Sequence, residues 1–122
     1  MRPRSIASVA VIAALALSGV AYAASSVVAP KPIKITVTLK DYSFGFSRSR
    51  VPVHSTVIFT VRNTGTVQHN VDFTSVNKRS AIIAPGAKTT LKVIFKKKGT
   101  IQVVCDVPRH IQLGMVSSFR VK

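Results

Sequence analysis

The chain has 122 residues, 47% of them hydrophobic, and it carries 18 lysines and arginines against three acidic residues, for a formal charge of +15. That length accommodates one ordinary domain with a real core and excludes a second, and the apolar content excludes disorder except at the ends. The acids are Asp41, Asp72 and Asp106, with no glutamate. A field of this sign favours an anionic partner, either an acidic redox protein or an anionic membrane surface. Nucleic acid is excluded as a partner, because the basic residues are spread along strand-like segments and are not interleaved with aromatics.

The chain opens on a targeting pattern. Met1-Arg2-Pro3-Arg4 is a short positive region, Ile6 to Val20 is an uncharged apolar run, and Ala21-Tyr22-Ala23 has the small-x-small form of a cleavage site. Residues 1–23 are read as a signal peptide, which places the mature chain in the periplasm or outside the cell. The alternative is a retained membrane anchor, since Ile6 to Ala24 is near the length that just spans a bilayer. No cysteine lies near the cleavage site, so lipid attachment there is excluded. Losing Arg2 and Arg4 with this segment lowers the charge from +15 to about +13.

Residues 24–32 form a linker broken by Pro30 and Pro32, and a single domain is expected over 33–122. Its first segment, IKITVTL from Ile33 to Leu39, alternates apolar and polar residues with period two, which puts one face of a strand inward. Val53 to Val61 repeats the pattern, with Val53, Val57, Phe59 and Val61 inward, and ends in Asn63-Thr64-Gly65. Strands are also expected at Leu91 to Phe95 after the Pro85-Gly86 turn, at Ile101 to Cys105 after Gly99, and at Val116 to Val121. Short strands punctuated by Gly, Pro and Asn, with no amphipathic helix, predict an all-β fold: an antiparallel Greek-key sandwich of seven or eight strands.

Function has to come from a site, because this architecture serves many roles. Cys105 is the only cysteine. In an oxidising compartment an unpaired thiol is either reactive or held by something, and a metal would hold it as a protected thiolate. It ends an apolar strand, and His110 and Met115 follow at matched five-residue steps through a loop containing Pro108 and Gly114. His69, just after the turn at Gly65, is the fourth candidate, and Asn70 beside it is placed to hydrogen-bond across to the cysteine loop. His54, beside Pro52, has no such partners and is left out. Thiolate, thioether and two imidazoles form a soft-to-borderline donor set that suits copper, and a trigonal His, His, Cys group with a weak axial Met is the blue-copper electron-transfer set. Zinc rarely takes methionine.

The residues carrying this pattern resemble the cupredoxin family of small blue copper proteins. DYSFGFSRSRVPVHSTVIFTVRNTGTVQHNVDF looks like the family's first half, where a strand ending in Asn-x-Gly leads to a histidine ligand followed by asparagine. VVCDVPRHIQLGM looks like its second half, with Cys, His and Met ligands on one loop, and the loop spacing is similar to that of rusticyanin and sulfocyanin. The resemblance implies a single type 1 copper ion held by His69, Cys105, His110 and Met115, and an electron carrier; four protein ligands leave no open position for substrate, so an enzyme is not expected, and the chain is expected to be monomeric. It further implies an apolar patch around the loop histidine for electron entry or exit, here Pro108, Ile111 and Leu113. Two residues depart from the family pattern. Asp106 stands where a neutral residue is common, and it either lowers the reduction potential or is screened by solvent. Arg109 stands where related loops often carry glycine. A copper-delivery protein using the same ligands is the alternative function, and a cationic adhesion module with an incidental thiol is a third.

Overall fold

Which residues alternate decides which faces meet, and the computed structural model shows those faces closed on each other. It describes Gly19 and residues 30–122, so the expected signal peptide and most of the linker lie outside the described residues. Nine strands follow in order: β1 (Ile33–Lys40), β2 (Ser43–Phe46), β3 (Arg50–Val51), β4 (Thr56–Asn63), β5 (Asp72–Phe73), β6 (Lys78–Arg79), β7 (Lys88–Ile94), β8 (Gly99–Val104) and β9 (Val116–Val121). A single 3-10 turn, Thr74–Val76, stands between β5 and β6. One sheet has the order β2-β1-β4-β7, and the other has the order β3-β9-β8-β5-β6.

The all-β sandwich is as expected, and two details of the expectation need correction. There are nine strands among the described residues, where seven or eight were expected, and the sheets are mixed: β1 pairs parallel with β4, and β3 pairs parallel with β9. Alternation reports which side of a strand is buried and carries no information on the direction of its neighbour. The parallel β1–β4 pair needs a long connection, supplied here by β2 and by the excursion of β3 into the other sheet. The expected strand from Val53 to Val61 is also interrupted. Its start is a turn in which Ser55 Oγ donates to Pro52 O at 2.6 Å, and Val53 is only half-buried.

Between the sheets lie Ile35, Val37 and Leu39 of β1, Val57, Phe59 and Val61 of β4, and the rings of Phe73, Phe95 and Phe119, all essentially without exposure. Phe59 packs on Phe73 with ring centroids 4.8 Å apart, and Phe95 stacks on Phe119 at 5.3 Å. Each such ring contributes roughly 1.5–3 kcal/mol by burial alone, so this aromatic cluster is the main rigid support beneath the loops.

The same ladder positions the cysteine. Val104 of β8 pairs with Val116 of β9 as their last rung, so Cys105 and Met115 stand side by side at one end of the sandwich, where Cys105 N–H reaches Met115 O at 3.4 Å. The end of β4 and the start of β7 lie at that same end, since Arg62 pairs with Lys88.

Candidate metal centre

Two loops converge on this end. The first leaves β4 at Asn63, whose side chain secures the turn: its Nδ2 donates to Val67 O at 2.9 Å and Ile83 O at 3.0 Å, and its Oδ1 accepts from Gly65 N–H at 2.9 Å. His69 then bridges to Ile83 through a reciprocal pair of backbone hydrogen bonds of 3.2 and 2.9 Å. This fixes its backbone, so the imidazole projects inward and is fully buried. The second loop, 106–114, is closed by tight turns: His110 N–H donates to Val107 O at 3.1 Å, Gly114 N–H to Ile111 O at 3.0 Å, and Met115 N–H to His110 O at 3.0 Å. Gly114 adopts φ of +96°, a left-handed conformation that glycine enters without steric cost.

The result is a tight group of donor atoms. His69 Nδ1 and His110 Nδ1 are 3.1 Å apart, Cys105 Sγ is 3.4 Å from His110 Nδ1 and 3.9 Å from His69 Nδ1, and the three residues are buried. Met115 is also fully buried, tied through its backbone to both Cys105 and His110. His54 is exposed at the other end of the sandwich, where its N–H donates to Phe95 O at 2.6 Å. The flanking residues hold the two loops together. Asn70 Nδ2 donates to Asp106 Oδ2 at 2.9 Å, and Asp106 N–H donates to Asn70 Oδ1 at 2.7 Å. Pro108, Ile111 and Leu113, on the loop that carries His110, are exposed, as are the apolar side chains of Val67, Ile82 and Val116.

Asp41, Tyr42, Gly65 and Thr66 were not among the residues expected at the site. His69 Nε2 lies 2.7 Å from Asp41 Oδ1, and the same carboxylate accepts from the Thr66 amide and hydroxyl. Gly65 makes room for this: a Cβ there would collide with Asp41 Oδ1 and come within 2.9 Å of His69 Nε2. The Tyr42 ring sits edge-on to His110 at 5.0 Å between centroids and to His69 at 6.0 Å. Asp41 is 28 positions from His69. Nothing local in sequence joins them, and the one usable signal was that it is among only three acids.

The electrostatics follow from these contacts. The Thr66 hydroxyl, then His69, then the Thr66 amide hold the Asp41 carboxyl far below the usual carboxylate range. Burial, reinforced by His69 and opposed by Asp41, pushes the His110 imidazole down. Burial and then its neighbour Asp106 push Asp72 up, with Arg79 opposing. An ionised Asp41 accepts a hydrogen bond from His69 Nε2–H, which leaves the lone pair on Nδ1, the atom that faces Cys105 and His110. Two imidazole Nδ1 atoms and a thiol sulfur directed at one buried point are the donor chemistry of a soft or borderline cation, and copper fits it.

Comparison with known proteins agrees with this fold. The sequence profile of the family described as cupredoxin-like domain matches residues 7–116. No curated protein matches the chain in sequence. Among solved structures, auracyanin from the photosynthetic bacterium Roseiflexus castenholzii superimposes with a TM-score of 0.57 at 19% identity, covering 75% of this chain and 96% of that one. Auracyanin B gives a TM-score of 0.61 at 15% identity, covering 78% and 93%. The periplasmic domain of subunit II of cytochrome oxidase of Bradyrhizobium japonicum gives 0.58 at 18%, covering 76% and 86%. At these identities the likeness is one of fold.

Proposed function

The chain belongs to the cupredoxin-like domain family, and from that premise we propose that it is an exported one-electron carrier built around a single type 1 copper ion. The observation that carries this reading is the convergence of His69 Nδ1, His110 Nδ1 and Cys105 Sγ on one buried point. Copper, when bound, supplies reversible one-electron exchange; His69 and His110 would be its imidazole ligands, Cys105 its thiolate and Met115 its weak axial thioether.

The chain's own residues do the rest. The Phe59, Phe73, Phe95 and Phe119 cluster fixes the strand ends, so the ligand loops have little freedom to rearrange between oxidation states. Asp41 and the Asn63 turn orient His69, and the Asn70–Asp106 pair locks the cysteine loop to the histidine loop. His69, Cys105 and Met115 have no exposure, and His110 has 6%, so the site excludes water and reaches the surface only beside the His110 ring. That enclosure supports electron transfer through Pro108, Ile111 and Leu113 over catalysis, which needs an open coordination position for substrate. Export is supported by the sequence of residues 1–23.

The direct test is to add copper(II) to the purified protein and record visible and paramagnetic-resonance spectra. An intense thiolate-to-copper band with reversible electrochemistry is expected. A colourless complex, or rapid loss of copper to a mild chelator, would overturn the reading.

A further inference from the structure

Charge is not spread evenly over this sandwich. All three carboxylate side chains lie at the copper end: Asp41 on His69, Asp106 next to Cys105, and Asp72 level with Val104. The opposite end carries none. There the β7–β8 turn presents Lys96, Lys97 and Lys98 in succession, all exposed. Gly99 pairs with Val121 and Thr100 with Arg120, which brings Lys122 and Arg120 alongside, and Arg50 pairs with Arg120 from the other side. Six cations thus occupy one pole with no side-chain counter-ion. Six residues of β8 separate this pole from Cys105, about 20 Å at the strand rise.

Two further features mark the pole. A groove of about 520 Å³ opens between Lys78, Lys96, Lys97 and Lys98, and its floor includes Ile94, which is 47% exposed. An isoleucine ringed by lysines suits the boundary between headgroups and acyl chains, where ammonium groups meet phosphate and an apolar side chain enters the edge of the hydrocarbon. The chain also enters the fold here. Ile33, the first residue of β1, pairs with Val57 beside the Ile94 end of β7, so residues 1–29, with their apolar run from Ile6 to Val20, join the domain at the lysine pole.

We propose that this pole docks on an anionic lipid surface, with phosphate headgroups in the Lys96–Lys98 groove, so that the copper end faces away from the membrane toward soluble redox partners. Charge complementarity and the position of the incoming chain both point to a bilayer as the occupant. Whether the apolar run is retained or removed, the pole itself supplies an electrostatic contact. The outward orientation rests on the copper reading, whereas docking does not.

The full chain is mixed with vesicles of phosphatidylcholine alone or of phosphatidylcholine with phosphatidylglycerol, at low salt, and amide hydrogen exchange is followed along the sequence. Exchange in 94–100 is expected to slow several-fold on the anionic vesicles only, and the effect fades as salt is raised. Lys96→Gln/Lys97→Gln/Lys98→Gln should abolish it and reduce the preference for anionic over neutral vesicles by about a hundred-fold, near five-fold per lysine. Lys40→Gln/Arg62→Gln/Lys88→Gln, an equal charge change at the copper end, should leave that preference within a few-fold. Equal exchange on both vesicles, equal loss in the two triple variants, slowing in 106–114 instead, or slowing by soluble polyglutamate in place of vesicles would each overturn the proposal. Protein that shows no blue band yet still docks separates failure of the copper reading from failure of this one.

Discussion

Asp41 Oδ1 holds His69 Nε2 at 2.7 Å, so the imidazole whose Nδ1 faces Cys105 is braced from behind by a full negative charge. A carboxylate in that position places negative charge behind the ligand and favours the more highly charged metal ion. Asp41→Asn keeps a hydrogen-bond acceptor and removes the charge. Cyclic voltammetry of the copper-loaded variant should show a higher reduction potential, by about 60 mV if copper(II) is weakened tenfold more than copper(I). The blue band should remain. An unchanged potential would show that solvent screens the charge completely.

Gly65→Ala probes the same pair from the other side. The added Cβ has no room beside Asp41 Oδ1 and His69 Nε2, and the carboxylate end is the part best able to swing away. The variant should therefore reproduce the rise in potential of Asp41→Asn and lose about 1–3 kcal/mol in denaturant unfolding. A stability loss without a change in potential would mean that the backbone had moved and the Asp41–His69 hydrogen bond had survived.

How far the site could be read beforehand depended on the range over which its residues act. Cys105, His110 and Met115 share one loop, and the apolar strands flanking it, Ile101 to Cys105 and Val116 to Val121, are local patterns, so their place at a strand end was legible. His69 was legible through its turn. Asp41 was not, because its role depends on the parallel β1–β4 register that sets the end of β1 beside Thr64, and alternation does not encode register between distant strands. The two-residue strands β3, β5 and β6 are likewise too short to show a period.

Asn70 contributes both of its side-chain ends to Asp106, at 2.9 and 2.7 Å, and is itself 2% exposed. Asn70→Ala leaves the Asp106 amide without that acceptor and unlinks the two loops. Unfolding of the copper-free variant should show a loss of about 2 kcal/mol, and copper should leave faster to a chelator. Asn70→Asp, which sets two carboxylates against each other, should be worse at neutral pH than Asn70→Ala.

Arg109 holds φ of +72°, a conformation that L-residues other than glycine enter at a steric cost. Its side chain is exposed and so gains little from burial. Arg109→Gly should stabilise the fold by about 1 kcal/mol in thermal or denaturant unfolding. Loss of stability would mean that the guanidinium makes a contact in solution that outweighs the backbone relief.

Acid should act on the copper-free protein in two stages, and the signs follow from the shifted groups. His110 is pushed below its ordinary value of 6.5 by burial, so the unfolded chain takes up a proton there before the folded one does. Stability is therefore full above about pH 6.5 and declines as pH falls below it, until the folded imidazole also protonates. Asp41 is held below its ordinary 3.8, so its contribution is present above that pH and is lost as pH falls further. Asp72 acts in the opposite sense: burial, and then Asp106, push its carboxyl up, so protonation relieves the cost of burying its charge and the repulsion from Asp106, which offsets part of the loss as pH falls toward 4. Calorimetric melting from pH 8 to pH 3 should thus show a first decline below 6.5 and a steeper one below 4. Asp41→Asn should remove the second decline and leave the first. If His110 ligates copper, the metal competes there with protons, and the loaded protein should lose the first decline until the pH at which the metal is released. Identical pH profiles with and without copper would show that His110 does not bind the metal.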